Sequence, residues 1–126
     1  MNVALWIIAG VLALAFFAGG LQKLLMSRER LAGSGLGFVE DFGDGAVKAI
    51  GAVEVLAAVG LVLPAALGLV PILVPVAASG LVLLMVGAAV VHLRRGETKP
   101  IIVNVALLAL AAAVAVGRFG PEAFPA

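Results

Sequence analysis

Glu54 lies in the run Ala49–Pro64, where every other residue is apolar or Gly. A carboxylate at mid-span in hydrocarbon costs at least ~2.5–3.5 kcal/mol, so it is paired, neutralised or put to use. Few other side chains in this chain can do chemistry, and they fall into one layer once the helices are laid antiparallel. Gln22 and Lys23 close the first apolar segment, Lys48 opens the second, His92 ends the third, and Asn104 lies one turn inside the fourth. Glu54, Lys23 and His92 are the residues able to move protons, because acid–base work needs a carboxylate, amine or imidazole held against its substrate. Gln22, Lys48 and Asn104 supply hydrogen bonds for a ligand. Lys48 is six residues from Glu54, off its helical face. Lys23 is therefore the better candidate partner for Glu54, whose role is either structural, as half of a buried ion pair, or functional, as a proton carrier or ligand-binding acid. Lys23 and Lys48 can also snorkel to headgroups, His92 can sit at the interface beside Arg94 and Arg95, and Asn104 and Gln22 can serve as helix–helix hydrogen bonds.

Other chemistry is excluded by what the 126 residues lack: there is no Cys and no Tyr, and a single His. Thiol catalysis, disulfides and Cys-ligated clusters are out, and the single His cannot hold a haem from both sides. No covalently bound cofactor is expected, and redox chemistry would need a diffusible partner or another subunit.

The elements that must position these residues follow from composition. The chain is 64% hydrophobic and 12% charged, with mean hydropathy +1.28, against about 25% charged for a soluble domain. Four apolar segments, about 2–25, 46–64, 71–93 and 100–117, each approach the ~20 residues that cross a bilayer as a helix. The expected fold is all-α, an antiparallel four-helix transmembrane bundle forming a single domain over residues 1–126. The first segment lacks the basic n-region of a signal peptide and reads as a retained helix. Pro64 and Pro71 punctuate a tight hairpin, and Pro100 suits the first turn of a helix. Gly51, Ala58, Gly60, Gly80, Gly87 and Ala111–Ala113 are the small residues available for helix contacts.

The first connection, residues 26–45, is long, Gly-rich and amphipathic. It reads either as an interfacial turn or as a lid, with Phe38 and Phe42 as its ligand-facing aromatics. Lys23, Arg28, Arg30, Lys48, Arg94, Arg95 and Lys99 all fall at one side, and Arg118 at the other. The positive-inside rule then predicts both termini outside a multi-pass protein of the cell membrane. Trp6, Phe119 and Phe124 would form an outer aromatic belt, and Ser79 would be the one polar residue of the outer half.

Several short stretches resemble the DoxX-like family of small four-helix membrane proteins. They are Gly19-Gly20-Leu21-Gln22-Lys23-Leu24, Gly51-Ala52-Val53-Glu54 and Gly60-Leu61-Val62-Leu63-Pro64, followed by His92 and Asn104. The resemblance implies that Lys23, Glu54, His92 and Asn104 are the family's characteristic polar positions. It also implies thiosulfate:quinone oxidoreduction, membrane complexes against oxidative stress, or assembly of membrane partners. The expected function is binding of a quinone or other lipophilic small molecule in a polar pocket, in support of a membrane oxidoreductase partner. The alternatives are an acid–base isomerase or ring-opening enzyme for a lipophilic substrate, an assembly factor or scaffold, and a proton- or ion-coupled carrier working as a homo-oligomer. The charge pattern gives no reason to expect nucleic acid.

Overall fold

The structure is a computed structural model that describes residues 2–33, 37 and 42–125, with only the backbone of Arg28. Five helices follow one another: α1 (Asn2–Leu25), α2 (Arg28–Gly33), α3 (Asp44–Leu67), α4 (Leu73–Arg94) and α5 (Thr98–Phe119). Helices α1, α3, α4 and α5 are each long and apolar enough to cross a membrane. They form the expected all-α bundle, in which α1 packs mainly on α3 and α4 on α5, with α3–α4 and α1–α5 contacts closing the ring. A span can be helical throughout because in lipid every backbone polar group has to be satisfied within the segment itself. The core is a column of apolar side chains, among them Leu5, Leu12, Leu61, Leu81 and Val114, all nearly inaccessible.

Helix α3 overrides one expected stop. Pro64 lies inside it, and the helix continues to Leu67 before Gly68 ends it in the left-handed region at φ 67°. The Gly68 and Leu69 amides then bond the carbonyls of Ala65 and Pro64. Pro removes one donor, but a span that ended there would expose several carbonyls, and the left-handed glycine cap satisfies them instead. The connection to α4 is therefore Gly68–Ile72 rather than a turn bounded by the two prolines. Helix α5 carries Pro100 in its first turn, as expected.

The amphipathic connection is helical in part. Ser27 Oγ accepts the Arg30 amide at 3.2 Å, an N-cap bond that starts α2. Leu31, fully buried, packs with Val47 and with Met26, Ala32 and Phe42. This pins the first half of the segment to the foot of α3. Leu36, Phe38 and Val39 lie outside the described residues.

Small residues set the helix spacing at some of the expected positions. A methyl group on Gly20 would sit 2.6 Å from the Gly51 carbonyl oxygen, and one on Gly51 would sit 2.8 Å from that of Gly20. A methyl group on Gly60 would lie 3.0 Å from the Ala77 Cβ. Gly80 and Gly87 face open space instead, and Gly117, absent from the expected set, fits against Leu5. Gly51→Ala should therefore force α1 and α3 apart and cost ~1–3 kcal/mol by overpacking. Gly80→Ala should be neutral or stabilising by up to ~1 kcal/mol from helix propensity. Melting of the two variants in detergent checks the contrast.

Candidate functional site

The Gly20–Gly51 approach builds the centre of the site. With the backbones of α1 and α3 this close, Lys23, one turn on from Gly20, reaches Glu54, three residues on from Gly51. Their side chains meet at 2.8 Å between Nζ and Oε1, with 11% and 7% of their surfaces accessible. Gly19 leaves room for the carboxylate, since a methyl group there would lie 3.2 Å from Glu54 Oε2. Glu54 is ten residues into α3, about 15 Å along its axis.

The pair forms part of the wall of a cavity of about 550 Å³, which Gln22, His92, Asn104 and Phe42 also line. The remaining wall is apolar, with Phe16, Ile50, Met85 and Leu107 among its residues. Helices α1, α3, α4 and α5 all contribute. Asn104 is 8% exposed, and its buried side-chain amide nitrogen has no hydrogen-bond partner among the described residues. A buried donor without an acceptor costs ~1–3 kcal/mol, and here it lies at the wall of a space large enough for a small molecule.

His92 is held from the turn. Its Nδ1 lies 2.7 Å from Glu97 Oε1, while Arg95 Nε lies 3.3 Å from Glu97 Oε2. Gly96, at φ 72°, reverses the chain so that Glu97 returns to the end of α4. In the neutral imidazole this carboxylate makes Nδ1 the protonated nitrogen and leaves the lone pair on Nε2. The His92 hydrogen bond first, and then Arg95, hold the Glu97 carboxyl below its ordinary value of 4.5. A depressed folded-state pKa gives stability that is present above the unfolded value and is lost as pH falls through the folded one. The bundle should therefore melt more easily as pH drops below ~4.5, and Glu97→Gln should flatten that part of the Tm–pH curve. Equal acid slopes in the two proteins would contradict the contact.

The site residues read from sequence divide accordingly. Lys23, Glu54, His92, Asn104, Gln22 and Phe42 share one cavity. Lys48 does not join them: its ammonium donates to the Leu24 carbonyl at 3.1 Å, in a separate groove with Ser27, Glu29 and Asp44. It ties the end of α1 to α3, because the last carbonyls of a helix have no intrahelical partner. Phe38 lies outside the described residues.

Two features escaped the sequence reading. Glu97 lies in the short turn between α4 and α5, and its signal was the Gly96 before it, which lets the chain fold back on His92. The other is at the far end of the bundle. Arg118 is 4% exposed; its Nη1 donates to Asn2 Oδ1 and to the Glu122 carbonyl, each at 2.8 Å. Its guanidinium carbon lies 3.9 Å from the Phe124 ring centroid, and Trp6 meets that ring edge-on at 5.7 Å. Ser79, bonded to the Pro75 carbonyl of its own helix, is thus not the sole polar residue of that half. An Arg near a chain end reads as a topological charge, and nothing in its spacing places Asn2 beside it.

Four spanning-length apolar helices, packed around a cavity with an ion pair in its wall, define a small multi-pass membrane protein. The chain belongs to the DoxX-like family, whose model matches residues 7–114. That span includes every polar cavity residue and stops before Arg118. No curated protein and no solved structure matches the chain.

Proposed function

We infer that this protein binds a lipophilic small molecule with a hydrogen-bond-accepting head, a quinone foremost, and so supports a membrane oxidoreductase system. The observation that carries this reading is the buried Asn104 amide nitrogen, which has no hydrogen-bond partner among the described residues, at the wall of a largely apolar cavity. Ligand sites are apolar hollows with a few convergent polar groups. A quinone carbonyl would accept the Asn104 N–H, and Lys23 and His92 lie at the same polar end. A quinone supplies a redox couple that takes up protons with electrons. In this chain Glu54 and Lys23 hold a proton against the cavity, and the Glu97 carboxylate orients His92 at its edge. The charged end, with Lys23, Lys48, Arg94 and Arg95, is assigned to the cytoplasm on the bias of Lys and Arg.

A second reading is favoured by the same wall. Lys23, Glu54 and His92 together offer an acid and a base to one substrate, as an isomerase or ring-opening enzyme requires. Melting in detergent with a decyl-tailed benzoquinone tests the first reading. A ligand at ~100 times its Kd stabilises the protein by ~2.7 kcal/mol, so Tm should climb with concentration. A flat response to quinone leaves the acid–base reading in front, and turnover that survives Glu54→Gln at the wild-type rate would remove that one too.

A further inference from the structure

The cavity reaches the outer surface of the bundle at its side. Ala15 of α1 is exposed, and so are Leu83 and Gly87 of α4, yet all three line the same cavity as Glu54 and Asn104. Leu83 is 73% exposed, and a methyl group on Gly87 would meet no atom within 4 Å. These positions share one level. Helices α1 and α4 run in the same direction, so at ~1.5 Å per residue Ala15 lies ~20 Å beyond Asn2, and Leu83 and Gly87 lie ~15 and ~21 Å beyond Leu73. For helices of spanning length that is the interior of the hydrocarbon, where a side opening meets acyl chains and not water.

The polarity of the cavity also has a direction. Gln22, Lys23, His92 and Asn104 lie towards the charged ends of their helices, and the apolar rim lies at mid-depth. A lipid-like molecule in that leaflet is graded the same way, with its head near the interface and its tail towards the centre. We propose that the cavity is a lateral pocket entered from the bilayer. Its occupant is an amphiphile whose polar head lies against Asn104 and whose hydrocarbon tail leaves past Leu83 and Gly87 of α4 into the membrane. The identity of the head as a quinone rests on the function inferred above; the sideways opening does not.

Because the chain has no Cys, a single Leu107→Cys variant can carry a spin label on the cavity wall in phosphatidylcholine vesicles. Collision with oxygen, concentrated in hydrocarbon, is compared with collision with a water-soluble nickel chelate. The expected result is oxygen access close to that of a label at the exposed position Val105→Cys, with low nickel access. Adding Gly87→Trp, or Leu83→Trp if the first does not fold, should lower the oxygen access several-fold. Dominant nickel access would mean an aqueous mouth, and low access to both probes would mean a closed wall or one covered by a second copy; either overturns the proposal. A decyl-tailed benzoquinone should also lower the oxygen access. If it has no effect while the rim variant does, the lateral opening stands and the quinone reading falls.

Discussion

Glu54→Leu lowers the unfolding free energy of the bundle by ~3–5 kcal/mol, because it removes the carboxylate that meets the Lys23 ammonium at 2.8 Å in a nearly inaccessible place. The double variant Lys23→Met/Glu54→Leu recovers most of that loss, since replacing a buried pair by apolar residues of similar volume is often neutral or better. Both variants should lose ligand binding, as each removes the Glu54 carboxylate from the cavity wall. Melting in detergent of the two single variants and the double variant measures the coupling. A Glu54→Leu protein as stable as wild type would show that the 2.8 Å contact carries no energy. A double variant as unstable as the single one would show that the cost is a packing defect.

The second large effect has the opposite sign. Asn104→Leu stabilises the protein by ~1–3 kcal/mol, because an apolar side chain of similar size replaces a buried donor that has no acceptor among the described residues. The same change should remove the rise in Tm expected for wild type with a tailed quinone. Gain of stability with loss of binding is the pattern of a residue kept for its ligand. If Asn104→Leu is less stable than wild type, the amide has a structural role and the inference drawn from it fails.

How much of this was readable without coordinates depended on the kind of signal. The four spans were legible because hydropathy is summed over about twenty residues and tolerates local exceptions such as Pro64. Lys23 was legible as the better candidate partner of Glu54 because helical spacing set Lys48 aside, but whether the two meet was left to the packing of α1 on α3. That spacing could not say where Lys48 would go, since its acceptor is a backbone carbonyl, which carries no sequence mark. Gly51 and Gly80 look alike as letters, yet one touches α1 and the other faces outward; the difference is helix rotation, which a uniformly apolar segment does not encode. Glu97 and Arg118 were missed for a related reason. Their partners are set by a turn of positive φ at Gly96 and by the meeting of the two chain ends, both of which are products of the fold.

The most direct test of the central claim, that the cavity holds a lipophilic molecule against Asn104, is chemical. Wild type and Asn104→Leu are purified in parallel from native membranes, and the small molecules that accompany each are extracted and identified by mass spectrometry. A tail-bearing carbonyl compound of the quinone class should be enriched with wild type, in amounts approaching one per chain, and depleted from Asn104→Leu. Finding no enriched molecule with wild type, or the same amount with both, would contradict the account.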